Sequence, residues 1–186
     1  KGLIRYKDGY SPQDIWAVQS KGIDPSTGQE VFLRNDGQYT FIYSTNDIVR
    51  VGSEQPQVEG VFSSNLTYKG FNLGINLRYI IGRDVFNSAL YDKVENINVQ
   101  GLANNQDKRA LYDRWQKPGD IAQFKAISLT TETPMSSRFV QTEHMLSGES
   151  ISFGYNFQTS AWLKKLGLSS LRLKGYTNEM FRFSTV

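Results

Sequence analysis

Four carboxylates in this sequence are spaced so that they could act as acid–base pairs. Asp47 and Glu54 form one pair, and Asp107 and Asp113 form the other. A general acid or base works best when its surroundings shift its pKa towards the working pH. Both pairs lie in turn-rich stretches, where carboxylates are usually solvated. We therefore predict no catalytic site and no enzymatic activity.

Metal coordination is the second chemistry that the residue types allow. Asp24 and Glu30 flank a turn and could hold a metal ion, but an ordinary hairpin tip is the better explanation. His144 is the one histidine, and it has no second histidine, cysteine or paired carboxylate at ligand spacing. The sequence therefore predicts no metal site and no cofactor.

Composition narrows the functional classes further. The chain has 186 residues, no cysteine and a net charge of +3. Its lysines and arginines are scattered rather than clustered, which predicts no nucleic-acid partner. No stretch approaches the roughly 20 consecutive apolar residues that a transmembrane helix needs. With 10 Tyr, 11 Phe and 16 Gly, the composition favours strands and turns.

Short strands and turns fill residues 1–59. The segment IDPSTGQE, residues 23–30, has Pro and Gly at positions that favour a tight turn. The strand-like stretches on either side of it, DIWAVQS and EVFLR, predict a β-hairpin. A further turn is predicted at Asp36-Gly37.

A second hairpin is predicted over residues 60–81, where apolar and polar residues alternate. If its turn is centred on Lys69-Gly70, residues whose numbers sum to 139 face each other across the two strands. This single register sorts both strands into an apolar face and a face of mostly small polar groups. Each strand has about ten residues, which is the length that crosses a bilayer at a tilt.

Residues 82–148 interrupt the alternation for longer than an ordinary loop, so we expect a functional segment or a subdomain there. Within it, the stretch NQDKRALYDRW, which ends at Trp115, predicts a helix that Pro118-Gly119 terminates. Trp115 could stack on a sugar ring, but the better interpretation is a loop anchor that fixes its own segment.

Alternation returns in two strands within residues 149–177, separated by the connector QTSAWLKKLGLSS. In the first strand, large apolar residues occupy every second position from Ile151 to Phe157. In the second, Leu171 and Leu173 lie opposite Arg172, Lys174 and Tyr176. The pattern predicts a further hairpin, and residues 178–186 then begin another loop.

Two environments could cover the apolar faces: the second layer of a soluble β-sandwich, or the lipid around a membrane barrel. The polar positions carry small groups more often than charges, as in a crowded lumen. Aromatic residues also gather near one level, as in the girdle of a membrane barrel; these are Tyr68, Phe71, Tyr155, Phe157 and Trp162. Both features favour lipid, with a soluble β-sandwich glycan-binding or adhesion module as the alternative.

Five stretches occur in the order found in a known family. They are GIDPSTGQEVF, VGSEQPQVEGVFSSNLTYKGFNLGINLRYIIGRDVFN, RALYDRWQKPGD, SSRFV and SAWLKKLGLSSLRLKGYTNEMF. On these motifs the chain resembles the C-terminal barrel region of the SusC/RagA-type TonB-linked outer-membrane transporters of Bacteroidetes. It departs from the family at HMLSGESISFGYNF, where a Leu-Arg-Leu-Lys-Asn run is usual, and it stops at Val186 before the usual closing strand.

The resemblance implies an all-β fold, an antiparallel transmembrane β-barrel segment with long extracellular loops. It implies about four membrane strands of a barrel that has about 22. Residues 60–81 and 149–177 would be membrane hairpins, and residues 1–59, 82–148 and 178–186 would belong to outer loops with some strand. We expect the chain to be a fragment whose four strands leave two open edges.

The resemblance also implies a function and partners. The intact protein would import oligosaccharides or peptides across the outer membrane of a Gram-negative bacterium. A SusD-like surface lipoprotein would be its partner, and TonB would act through an N-terminal region that is absent here.

The barrel interpretation predicts which side chains face the lumen and which face outer-membrane lipid. Leu73, Ile75 and Leu77 would meet lipid. The predicted lumen-facing residues are Asn72, Asn76, Arg78, Ser152, Asn156, Arg172 and Lys174.

Overall fold

The computed structural model describes residues 3–97, 103, 107–158 and 161–186. The chain divides into two compact units: unit 1 comprises Lys1–Gln55 and Asp84–Thr142, and unit 2 comprises Pro56–Arg83 and Glu143–Val186. Each contains a four-stranded sheet built from antiparallel pairs, which confirms the predicted all-β class. None of the helices among these described residues has the length and apolar character needed to span a membrane.

The sheet of unit 1 has the strand order β3-β2-β1-β4. Its strands are β1 (Asp14–Ile23), β2 (Glu30–Leu33), β3 (Tyr39–Thr40) and β4 (Ile48–Ser53). The predicted hairpin is confirmed, because β1 pairs antiparallel with β2. Gly28 and Gly37 have φ values of 71° and 83°, so both predicted turns place a glycine in the left-handed region.

Short helical turns and loops build the rest of unit 1. They are 3-10 turns at Thr45–Asp47 and Ser137–Phe139, a π-helical turn at Leu90–Glu95, and helix α1 at Arg109–Tyr112. A hydrophobic cluster fills the interior between them; it consists of Leu90, Tyr91, Val94, Ala110, Phe124 and Phe139. Burial of these side chains stabilises loops that have little regular secondary structure of their own.

The sequence predicted a helix that continues to Trp115, and this prediction is wrong because the helix is shorter. Helix α1 ends at Tyr112, because the chain then turns to form a bridge between Arg114 and Phe124. The first two residues of the predicted stretch, 105 and 106, lie outside the described residues. An apolar pair four residues apart was therefore too weak a signal for a long helix.

The sheet of unit 2 has the order β5-β6-β7-β8. Its strands are β5 (Val58–Tyr68), β6 (Phe71–Phe86), β7 (Val140–Gln158) and β8 (Ser170–Ser184), and α2 (Ala161–Lys165) lies between β7 and β8. The ends of β6 and β7 contribute residues to unit 1 as well. Within the described chain the sheet is open, since β5 and β8 lie at its two edges.

The register predicted for the β5–β6 hairpin is confirmed. Every pair from Val58 with Ile81 to Tyr68 with Phe71 sums to 139. Lys69 and Gly70 have φ values of 46° and 89°, as in the two-residue turn that matches the twist of paired strands.

The strands of unit 2 extend beyond the alternating segments that predicted them. β6 continues past Gly82, whose φ is 69°, and the Gln57 amide there donates to the carbonyls of both Ile81 and Gly82. A second irregularity separates Gly148 from Ser150 in the pairing of β7 with β8. Irregularities of this kind change the phase of the side chains, so the alternation stops while the strand continues.

Candidate functional site

Side-chain hydrogen bonds join the strands of unit 2 across its polar face. The Asn76 amide donates to Ser150 Oγ at 2.8 Å, and Arg172 Nε donates to Asn156 Oδ1 at 2.6 Å. These bonds link β6 to β7 and β7 to β8. Polar positions predicted from alternation are therefore hydrogen-bonded to each other across neighbouring strands.

A groove of about 190 Å³ lies along these strands, and most of the residues that line it are polar or glycine, with Leu66 and Leu73 as the apolar ones. Four of the predicted residues line it, namely Asn72, Ser152, Arg172 and Lys174. Gly74 leaves the room for it, because a Cβ atom at that position would lie 2.8 Å from Ser152 Oγ. Two cations and several neutral hydrogen-bonding groups thus share a concave surface, which suits polar solutes and water.

Arg78, the remaining predicted residue, pairs with a partner that the sequence did not indicate. Its Nε lies 3.0 Å from Glu149 Oε1, and Ser147 Oγ donates to the same carboxylate oxygen at 3.0 Å. Glu149 follows Gly148 at the register shift of β7, so no alternation rule assigned it a face. Only the contact in three dimensions identifies this pair.

The opposite, apolar face carries the aromatic level that the sequence predicted. Ring centroids are 4.5 Å apart for Phe71 and Tyr155, 4.6 Å for Tyr155 and Phe157, and 5.6 Å for Phe157 and Trp162. The ammonium group of Lys69, in the adjacent turn, lies 5.2 Å from the centre of the Tyr68 ring. Aromatic rings with a cation at one end of the strands are typical of a membrane interface.

The large side chains that this face carries on the edge strand β5 are exposed, whereas Leu73, Ile75 and Leu77 on β6 are partly buried. Phe62, Leu66 and Tyr68 expose 60%, 59% and 67% of their surface. Soluble monomers rarely expose apolar patches of this kind.

In unit 1, Trp115 lies against the turn between β1 and β2. Its Nε1 donates to the Pro25 carbonyl at 2.8 Å, and the Gly119 amide donates to the same oxygen at 2.8 Å. A Cβ atom at Gly28 would come within 2.6 Å of the Trp115 ring, so only glycine permits this contact. The GIDPSTG and RWQKPGD motifs are thus two halves of one contact.

Arg114 occupies the interior next to this contact. Its three side-chain nitrogens donate to the carbonyls of Ala110, Lys125 and Val94. One buried guanidinium therefore ties three separate backbone segments together, which satisfies carbonyls that have no partner in regular secondary structure.

A second arginine organises the buried ionic network of unit 1. Arg138 NH2 lies 3.0 Å from Glu30 Oε2 and 2.7 Å from Glu95 Oε1. Ser136 Oγ donates to Glu30 at 2.5 Å, and Thr133 Oγ1 donates to Glu95 at 2.9 Å. Burial alone would lower the pKa of Arg138, but its hydrogen bonds to the two glutamates outweigh burial and raise it. Glu30, a candidate metal ligand in the sequence, is thus a structural ion-pair partner.

The other candidate ligands also serve local structure. Asp24 Oδ2 accepts hydrogen bonds from the Thr27 amide at 2.9 Å and from its hydroxyl at 2.7 Å. His144 Nδ1 accepts from the Gly82 amide at 3.3 Å. Nowhere in the described parts of the chain do three groups of metal-ligand type come together.

The four carboxylates considered for acid–base chemistry are either held by local hydrogen bonds or exposed. Asp107 is held by Arg109, whose side-chain and backbone hydrogen bonds lower the pKa of Asp107 to about 2. Asp47 Oδ1 accepts from the Asn35 amide at 3.0 Å. Glu54 and Asp113 are exposed. With a pKa of about 2, Asp107 is a poor proton donor or acceptor near neutral pH.

Comparison with known proteins bears on the origin of this fold. No family model matches the chain. A curated relative, TonB-dependent receptor P3 of Formosa agariphila, is 27% identical over 168 residues, which is 90% of this chain and 15% of the receptor. The RagAB peptide importer in its closed-closed state is 20% identical with a TM-score of 0.77, covering 96% of this chain and 20% of that chain. The resemblance to SusC/RagA-type TonB-linked transporters is confirmed.

A second state of the importer agrees with this result. In the open-open state, the TM-score is 0.78 at 20% identity, covering 96% of this chain and 19% of that chain. These SusC/RagA-type similarities also confirm the predicted location in the outer membrane of a Gram-negative bacterium. The chain spans 15% of the length of the curated receptor. The names of the matched proteins describe a receptor and an importer, which fits the prediction of a non-enzymatic role.

Proposed function

We propose that this chain forms part of the barrel wall and outer loops of a TonB-dependent importer of oligosaccharides or peptides. The observation that carries the proposal is the two-sided sheet of unit 2. One face exposes large apolar side chains such as Phe62 and Leu66, while the other carries a hydrogen-bonded polar layer. A sheet with this division suits lipid on one side and a polar lumen on the other.

In this proposal, residues 60–81 and 149–177 are membrane hairpins of a barrel of about 22 strands. The polar layer of Asn76, Arg172 and their neighbours lines the lumen. Residues 1–59, 82–148 and 178–186 belong to the outer side, and Trp115 anchors the longest of these segments against the turn at Pro25.

The partners in this proposal come from the resemblance, and the names of the similar proteins support the substrate class. TonB would supply energy through a part of the protein outside these 186 residues, and a SusD-like lipoprotein would cover the outer mouth. The solved relatives are described as a peptide importer, which supports peptides as one substrate class. Glycans are the second class.

A soluble β-sandwich binding module is the alternative. In a sandwich, the apolar faces of two sheets bury one another. The exposure of Tyr68, Leu66 and Phe62 on the apolar face of unit 2 argues against this arrangement.

The orientation of the loops can be tested by labelling intact cells that produce the full-length protein. Ile121 lies in the proposed outer loop and exposes 96% of its surface, and Lys69 lies in the proposed inner turn and is exposed as well. We expect Ile121→Cys to react with a membrane-impermeant maleimide in intact cells. Lys69→Cys should react only after the outer membrane is broken. The reverse pattern would refute the proposed topology.

Transport itself is tested by uptake in cells. Deleting the gene for the full-length protein should abolish accumulation of one substrate class, either labelled short peptides or labelled oligosaccharides. Uptake of that class should also stop when TonB is removed. Unchanged uptake of both classes in the deletion strain would contradict the proposed function.

A further inference from the structure

The groove along the strands of unit 2 carries two positive charges and no carboxylate. Arg172 and Lys174 line it, and the other residues that line it are neutral. Gly74 and Gly154 are among them, so two positions of the groove have no side chain. Its volume of about 190 Å³ is room for one small group rather than for an extended chain.

The other cations on β6 and β8 have carboxylate partners within the sheet. Arg78 pairs with Glu149, while Arg83 and Arg182 both pair with Glu143. Three of the five cations on these two strands are therefore neutralised by β7. The remaining two are the cations of the groove.

Arg172 and Lys174 have no such partner in the part of the chain that the structure describes. Arg172 Nε donates to the neutral Asn156 Oδ1 at 2.6 Å, and its two terminal nitrogens make no further bond to the described residues. The ammonium group of Lys174 makes neither a hydrogen bond nor an ion pair with them. Residues 60–83 and 150–178 contain seven lysines and arginines but no aspartate or glutamate. A carboxylate at the groove would therefore come from outside the two hairpins.

Neutral hydrogen-bonding groups lie beside the two cations. Ser152 Oγ and Asn65 Oδ1 lie 2.8 Å and 3.0 Å from the point that a Cβ at Gly74 would occupy, so the two side chains converge there. Neither side chain has a hydrogen-bond partner among the described residues. A carboxylate accepts several hydrogen bonds at its two oxygens, and guanidinium, ammonium, hydroxyl and amide groups can all donate to it.

We propose that this groove binds a carboxylate group of the imported substrate. Arg172 and Lys174 would hold the negative charge, and Ser152 and Asn65 would donate to the same group. Both cations are exposed, so the contact is weak and reversible, which suits a solute that must move on. The carboxyl end of a peptide and the carboxyl group of an acidic sugar share this chemistry. The inference rests on the proposed function, which assigns the polar face to the lumen.

Ligand-observed NMR titration of the full-length protein in detergent tests the proposal with two matched pairs of probes. N-acetyl-alanine and N-acetyl-alaninamide form one pair, and glucuronate and glucose form the other; each pair contrasts a carboxylate with a neutral group. We expect at least one acid to bind about fivefold more tightly than its neutral counterpart, since exposed ion pairs contribute modestly. Added salt should reduce this preference, because it screens exposed charges.

The two pairs also distinguish the sources of the carboxylate. A preference for the acid in one pair only would support the site and identify a peptide or a sugar as the source. Equal binding of acid and neutral probe in both pairs, or no binding of either acid, would overturn the proposal.

Variants of the two cations locate the binding in this groove. Arg172→Gln and Lys174→Gln should each remove most of the preference for the acid. Lys174→Gln removes no contact within the described chain, so its thermal stability should equal that of the unsubstituted protein. Lys165→Gln is the control, because it removes an exposed cation of α2 that does not line the groove.

A preference that survives in both groove variants, or that falls equally in the Lys165 variant, would overturn the assignment. Either result would leave the import proposal standing, because uptake by the deletion strain tests that proposal separately.

Discussion

The two units of this chain differ in where their large apolar side chains lie: unit 1 buries many of them, whereas unit 2 exposes most of them. Unit 1 buries a hydrophobic cluster around Val94 and Phe139 and closes an ionic network around Arg138. In unit 2, Ile80 and Leu163 are the buried apolar side chains among the described residues, while many larger ones are exposed. Unit 1 therefore has an interior of its own, and unit 2 has two faces that need different surroundings.

This difference shows what each unit requires for stability. Unit 1 has a buried apolar core, and its buried charged side chains are hydrogen-bonded, as stability of a buried interior requires. Unit 2 has a hydrogen-bonded sheet with exposed apolar side chains such as Phe62 and Leu66, and our proposal assigns that face to lipid. The following substitutions, each made in the full-length protein, test this contrast from the largest expected effect to the smallest.

The first substitution removes the centre of the ionic network in unit 1. Arg138→Met leaves Glu30 and Glu95 buried without their cation, which should cost about 3–5 kcal/mol. Arg34→Met is the control, because the Arg34–Asp36 pair is half exposed and should contribute at most about 1 kcal/mol. Urea unfolding of each variant, detected by proteolytic cleavage within unit 1, measures the loss of stability. Equal midpoints for the two variants would contradict a self-contained interior.

The second substitution compares the two faces of β6. Ile75→Lys would place a charge on the face assigned to lipid, at a cost of about 2–4 kcal/mol near the midplane. Asn76→Lys would place the same charge in the polar layer and should cost far less. Folding of each variant into phospholipid vesicles, detected by the change in gel mobility, measures the difference in folding free energy. Equal tolerance at the two positions would remove the distinction between the faces.

The third substitution tests the contact between the two motifs of unit 1. Gly28→Ala would force a Cβ into the Trp115 ring in addition to straining a φ of 71°. Gly37→Ala is the control, since its φ is 83° and no heavy atom lies within 4 Å of the point that its Cβ would occupy. We expect Gly28→Ala to lose about 1–3 kcal/mol more stability than Gly37→Ala. Similar thermal stability of the two variants would mean that the ring contact carries no constraint.

The smallest effect concerns the hydrogen bond from Trp115. Trp115→Phe keeps an aromatic ring over the turn but loses the bond from Nε1 to the Pro25 carbonyl. We expect a loss of about 0.5–1.5 kcal/mol, together with faster proteolysis of the loop after residue 115. Proteolysis at the rate of the unsubstituted protein would show that Trp115 does not anchor the loop.

The same contrast explains which features the sequence could predict. The register of β5 with β6 was predictable because it depends on alternation and one turn, both local in sequence. The network of unit 1 was not, since Glu30 and Arg138 are 108 positions apart and no local pattern joins them. The ends of β6 and β7 were also missed. Gly82 and the shift at Gly148 interrupt the alternation while pairing continues.

The central claim is that the apolar face of unit 2 meets lipid and its polar face meets water. Spin labels on Ile75→Cys and Asn76→Cys, each in a cysteine-free full-length protein in lipid bilayers, test it most directly. Collision rates with oxygen, which concentrates in lipid, and with a water-soluble nickel chelate report the surroundings of each label. The account predicts high oxygen and low nickel accessibility at position 75, and the opposite at position 76. The same accessibility at both positions, or nickel access at position 75, would contradict it.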